Sequence, residues 1–264
     1  MESDSALFTP TAIIFNPDTA NPLDLGPELH IRQIASGVHE ITHDFPWPAN
    51  SLLVEMTNGD LIWVGSTYTP QAANQILSWI QETFGERKLI AINTGYHVDN
   101  LGGNAALIDK KIPIYGSDLT VKLLEERGET TRQLMLDMMK NNAKESMINV
   151  HREIPYLPPT QVFPIQEGLT LHFAEEQIEI IYPGPSQAPD KVVVYFPQRR
   201  ILFGGCMILS ADQAGNTAEA DISEWIEAAK TLQQFPLEFV IPGHGDRIDP
   251  ELINHTIEVL EKTQ

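Results

Sequence analysis

The sequence predicts an α/β fold of four layers, two β-sheets face to face with helices outside (αββα). Three observations point there. Short apolar runs gather into two groups, one over residues 31–64 and 89–115 and one over residues 162–203. Helix-period patterns follow each group, and no Gly/Ser-rich stretch or charge block parts them. At 264 residues the chain is long enough to bury a large core, and we read residues 1–264 as a single domain with residues 1–29 as an N-terminal extension.

Residues 31–41 alternate and read as one strand. Residues 51–56 and 60–64, joined through Asn58-Gly59, read as a hairpin with a tight turn. Thr69 and Pro70 stand where an N-cap and first helical residue belong, and Ala73, Ile76, Leu77, Ile80 and Phe84 follow at helical spacing up to Gly85. Residues 89–92 form a buried strand, 112–115 another. Ser117 caps a helix through Arg127, and a separate helix covers about 130–144. Residues 162–165, 169–173, 178–182, 192–196 and 201–203 are the strands of a second sheet. A helix over 221–232, a strand over 239–241 and a helix from Pro250 to Leu260 complete the chain.

A formal charge of −19 leaves no basic stripe to neutralise phosphates, so a nucleic-acid partner is not expected. No apolar run could span a bilayer, so no membrane association is expected either. The start, Met1-Glu2-Ser3-Asp4-Ser5, lacks the basic and apolar parts of a secretory signal, which leaves a cytoplasmic chain or a mature exported one. Cys206 is the only cysteine, so no internal disulfide can form.

Three loops that follow apolar strands carry side chains of zinc-ligand type: His97 and Asp99 after residues 89–92, Cys206 after 201–203, and His244 after 239–241. A catalytic zinc needs three protein ligands and an open fourth position, so one Asp, one Cys and one His suffice. Spacing alone leaves open a buried thiol at Cys206 and a turn histidine at His244.

The local contexts go further. Thr94-Gly95-Tyr96-His97-Val98-Asp99 with Leu101-Gly102-Gly103-Asn104, then Tyr182-Pro183-Gly184-Pro185-Ser186-Gln187-Ala188-Pro189-Asp190, then Phe203-Gly204-Gly205-Cys206, and finally Pro242-Gly243-His244-Gly245 resemble, in order, four segments of the metallo-β-lactamase family. The likeness is to its cysteine-containing subclasses, whose members carry a three-histidine site beside an Asp-Cys-His site. It implies the metallo-β-lactamase fold, one Zn2+ per chain on Asp99, Cys206 and His244, and hydrolytic opening of a β-lactam amide. It also implies a small-molecule substrate, a monomer, a periplasmic or secreted location and a part in antibiotic resistance.

The chain departs from the family in instructive places. The three-histidine positions are Gly95, His97 and Gln187; glycine offers no ligand and a neutral amide replaces imidazole poorly. With that site degenerate, His97 or Asp99 is the candidate general base, and His97 as a hydrogen-bonding support is the alternative. Leu209 stands where the family has a lysine for the substrate carboxylate, a loss worth about tenfold to a hundredfold in affinity. Asn216 fits a second substrate-contacting position. Gly65 replaces a buried aspartate that supports the ligand loop. A mono-zinc hydrolase of narrow spectrum is therefore expected, with a zinc hydrolase of another ester, lactone or amide, or an impaired metal-binding relic of the fold, as alternatives.

Two further features stay open at this level. Trp47, in Phe45-Pro46-Trp47-Pro48, suits a flap over substrate or a ring folded on its own hairpin. Leu134, Met135, Met138 and Met139 form a stripe that reads first as core and second as a cleft wall. His39, His43, His151, His172 and His255 match no ligand position.

Overall fold

A computed structural model describes residues 22–264. Eight strands form the first sheet in sequence order: β1 (Leu23–Gly26), β2 (Leu29–Ala35), β3 (Val38–Asp44), β4 (Pro48–Glu55), β5 (Leu61–Val64), β6 (Leu89–Ile92), β7 (Ile114–Ser117) and β8 (Gln161–Phe163). The pairs from β1 to β5 are antiparallel, and those from β5 to β8 parallel. The second sheet runs β13 (Phe239–Pro242), β12 (Ile201–Gly205), β11 (Val193–Phe196), β10 (Glu176–Ile181), β9 (Leu169–Phe173).

Side-chain alternation along the strands builds the layers. Leu52, Val54, Ile62, Val64, Ile90 and Ile92 point inward and meet Ile178, Ile180, Val192, Val194, Phe196, Phe203 and Ile241 of the other sheet. Their sequence neighbours Leu53, Trp63 and Ala91 point outward and pack under α1 (Pro70–Phe84) and α3 (Asn104–Asp109). On the far side Val193, Tyr195, Leu202 and Val240 pack under α6 (Ile222–Thr231) and α7 (Leu252–Glu261). The αββα order is the fold read from the sequence.

Caps hold where expected. The Thr69 hydroxyl accepts from Ala72 N at 3.2 Å and that of Ser117 from Thr120 N at 3.0 Å. The terminal helix begins at Leu252, two residues beyond Pro250.

Three assignments change. The single strand expected over 31–41 is a hairpin, because Gly37 at φ +67° reverses the chain between β2 and β3. Residues 162–165 do not begin the second sheet; β8 pairs parallel with β7, Tyr115 opposite Gln161. The two helices expected over 117–127 and 130–144 are one, α4 (Asp118–Met139), followed by α5 (Glu145–Glu153). Gly128 costs a helix about 1 kcal/mol relative to alanine, but it is buried beside Leu124 and Tyr156, and that packing carries the helix through. Of the expected extension, residues 1–21 lie outside the described residues, and Leu23–Gly26 pairs with β2 at the sheet edge. Among the described residues no helix is long and apolar enough to cross a membrane.

Candidate metal centre

The functional loops all leave the carboxyl ends of strands, the usual ligand side of a sheet with parallel strands. After β6 the chain enters α2 (Val98–Leu101) with His97 at its N-cap and Asp99 in its first turn. Cys206 follows β12 directly, and His244 lies two residues past β13. The last two loops are drawn together through glycine. Gly243 N donates to Gly205 O at 2.7 Å, and a Cβ on Gly243 would stand 2.7 Å from Cys206 N, so no larger residue fits. Gly102 does the same for the first loop, where a Cβ would meet the Tyr68 carbonyl oxygen at 2.0 Å.

Asp99, Cys206 and His244 converge, their ligand atoms all within 4.8 Å of one another. Cys206 Sγ lies 3.0 Å from Asp99 Oδ2 and 3.8 Å from His244 Nε2, and Nε2 lies 3.8 Å from Oδ2. Tetrahedral zinc at ordinary bond lengths spaces such atoms by roughly 3.3–3.5 Å. The triangle brackets that spacing, and the donor set of one oxygen, one sulfur and one nitrogen fits zinc. His244 Nδ1 sits 2.6 Å from the Pro48 carbonyl. A carbonyl only accepts, so Nδ1 carries the proton and the Nε2 lone pair faces the triangle. Burial and the adjacent Asp99 push the Cys206 thiol up to about 12. Burial also acts to raise the Asp99 carboxyl, yet Lys191, His244 and His97 together hold it below the usual carboxylate range.

The loop has its own support. The Ser66 hydroxyl donates to Asn100 O at 3.0 Å and accepts from Gly103 N at 3.1 Å. Asn93 Nδ2 donates to the same Asn100 carbonyl at 2.7 Å, and Thr94 bonds the Asn100 side chain. Gly65, at φ +76°, takes a conformation that an aspartate rarely adopts, and Ser66 beside it does the supporting.

The positions of the other half are differently filled. His97 is buried and its Nε2 lies 2.8 Å from Glu219 Oε2. Glu219 also accepts from Tyr96 and, at 2.9 Å, from Arg127 Nη1. Burial works against its charge, but these three hydrogen bonds hold the Glu219 carboxyl down at about 2. Gln187 Nε2 donates to Asn216 O at 3.3 Å, and its buried Oε1 has no partner among the described residues. Beside Gly95 stands the buried Lys191 side chain. Lys191, Glu219, Tyr96 and Arg127 were not found from sequence. A lysine just before the apolar run 192–196 was a signal; the loop position of Glu219 offered none.

A cleft of about 290 Å³ lies over the triangle, lined by His97, Asp99, Gln187, Cys206, Asn216, Glu219 and His244 on one side and Trp47, Tyr68, Leu134, Met135 and Met138 on the other. A second lobe of about 450 Å³ continues past Leu209. The methionine stripe is thus divided, against its first reading as core. Met139 is buried, while Leu134 and Met138 are 40% and 37% exposed in the cleft wall. Trp47 packs against the cluster of Leu136, Met139 and Ile148 on the helices and also lines the cleft. Leu209 leans on the helical layer around Trp225. Asn216 Oδ1 accepts from Ala218 N at 3.1 Å, holding the loop that brings Glu219 to His97.

The model of the Metallo-beta-lactamase superfamily matches residues 44–244. A Metallo-beta-lactamase type 2 of Pseudomonas aeruginosa is 28% identical over 239 residues, 88% of this chain and 84% of the relative. One of Bacillus sp. (strain 170) is 27% identical over 218 residues, 81% of this chain and 73% of the relative. Among solved structures, a metallo-beta-lactamase from Pontibacter korlensis superposes with a TM-score of 0.73 at 28% identity, covering 89% of this chain and 99% of that one.

Proposed function

The chain belongs to the metallo-beta-lactamase superfamily of hydrolases, and from that premise we propose that it is a one-zinc hydrolase that opens a cyclic amide, with β-lactams as the reference substrate. The observation that carries this reading is the convergence of Asp99, Cys206 and His244 at the floor of the cleft. A zinc ion held there would supply Lewis acidity and a positive charge for the developing negative charge of the reaction. The chain's own residues do the rest. Glu219 fixes the His97 ring through Nε2, which leaves Nδ1 as the basic nitrogen; a carboxylate that orients an imidazole base is a recurring catalytic arrangement. Asp99 is committed to the metal triangle, so His97 takes the role of general base. Trp47, Leu134, Met135 and Met138 exclude water from one wall and receive the apolar part of the substrate.

One observation favours a second substrate class. Among the described residues no lysine or arginine lines either lobe, and Glu219 and Asp99 line the first. A substrate carboxylate finds no cationic side chain among these residues, whereas an uncharged lactone, ester or amide needs none. The test is a panel of a penicillin, a cephalosporin, a carbapenem and neutral lactones, run with and without chelator. Chelator-sensitive turnover of any member supports the hydrolase; turnover that persists after verified metal removal contradicts it. Lactone cleavage without β-lactam cleavage selects the second class.

A further inference from the structure

Lys191 is a buried cation that the proposed reaction does not use. It is 2% exposed, and its Nζ has no hydrogen-bond partner among the described residues. An isolated ammonium is expensive to bury, so its position needs a reason. Burial favours loss of its proton, but the Cys206 sulfur once ionised, with Asp99, Asp190 and Glu219, opposes that loss and raises its affinity for the proton.

Its place is informative. A Cβ on Gly95 would lie 2.9 Å from Lys191 Nζ and 2.9 Å from its Cδ. The ammonium therefore fills the space that a ligating side chain at position 95 would enter. Of the other two positions, His97 is tied to Glu219 through Nε2 and offers a single nitrogen, Nδ1, and Gln187 offers only a neutral amide oxygen. These residues do not fit a metal ion. The geometry points to Lys191 as a tethered cation that stands in place of a second metal, excluding that ion and opposing over-accumulation of negative charge beside Asp99 and Cys206. Lys191 does not line the cleft, so it acts as a positioning residue and not on the substrate.

This inference rests on the one-zinc reading of Asp99, Cys206 and His244, and the test separates the two. Metal content and affinity are measured with zinc and with cobalt, whose thiolate charge-transfer band reports the Cys206 site. The forms compared are wild type, Cys206→Ala, Lys191→Met, Gly95→His with Gln187→His, and that pair with Lys191→Asn. A wild type that binds no ion, or a band that survives Cys206→Ala, defeats the one-zinc reading itself. Given one ion in wild type, Lys191→Met should still bind one, at least about tenfold more tightly. A divalent ion adds net positive charge there whether or not the thiol proton leaves, and the ammonium repels it. A second ion should appear only in the triple variant. Unchanged affinity in Lys191→Met, or a second ion in the double variant with Lys191 retained, overturns the inference. If the histidine variants do not fold, the affinity of Lys191→Met decides alone.

Discussion

The two halves of the centre line one cleft and are built on opposite principles. In one, Asp99, Cys206 and His244 come from three loops, point their ligand atoms at a common space, and are held by groups behind them such as the Pro48 carbonyl. In the other, His97 is tied to the Glu219 carboxylate, the Gln187 amide donates to the Asn216 backbone carbonyl, and Lys191 fills the room beside Gly95. Three converging lone pairs invite an ion, and a site that holds one imidazole, a neutral amide and a buried ammonium does not. Substitutions in the two halves should therefore fail differently.

The largest effect is expected from Cys206→Ala. It removes the thiolate ligand, so metal-dependent turnover should fall at least about a thousandfold and bound metal should drop with it. Elemental analysis beside steady-state kinetics checks both. Glu219→Gln should instead lower kcat about a hundredfold while metal content stays unchanged, because it weakens the orientation of the base and leaves the triangle intact. Equal loss of metal in both variants would erase the distinction between the halves.

Acid should act on the fold apart from either half. Burial holds His43 and His151 down at about 4, with Arg132 adding to the effect at His151. Unfolded histidine takes its proton near pH 6.5, so both contribute stability that is fully present above that pH and is lost as pH falls toward 4. At pH 5 the loss is at most about 2 kcal/mol for each. Urea midpoints at pH 7 and pH 5 measure it, and a flat profile would contradict it. The smallest effect is expected from Leu209→Lys, which adds a cation to the second lobe and should lower KM for a carboxylated β-lactam about tenfold with kcat nearly unchanged.

The intact half was legible in the sequence and the filled half only as a loss. Gly-Gly-Cys and Pro-Gly-His place their ligands by local geometry, since the glycines at 205 and 243 set how closely two loops approach. Gly95 and Gln187 could be read as missing ligands only through the likeness of their segments to those of the family. What took their place could not, because Glu219 reaches His97 across 122 positions and Lys191 reaches Gly95 across the sheet junction, contacts that no local pattern encodes. The layers of the fold followed from alternation and caps. Two errors fell at Gly37 and Gly128, where one glycine turns the chain and the other is carried through a helix by packing, and the third put residues 162–165 in the second sheet, where pairing with β7 decided otherwise.

The central claim is that one half binds metal and the other does not. Equilibrium dialysis of the wild-type chain against zinc, followed by elemental analysis, tests it most directly. One tightly held ion per chain, lost in Cys206→Ala, is the result this account predicts. Two ions in wild type, none, or one that Cys206→Ala retains with equal affinity would contradict it.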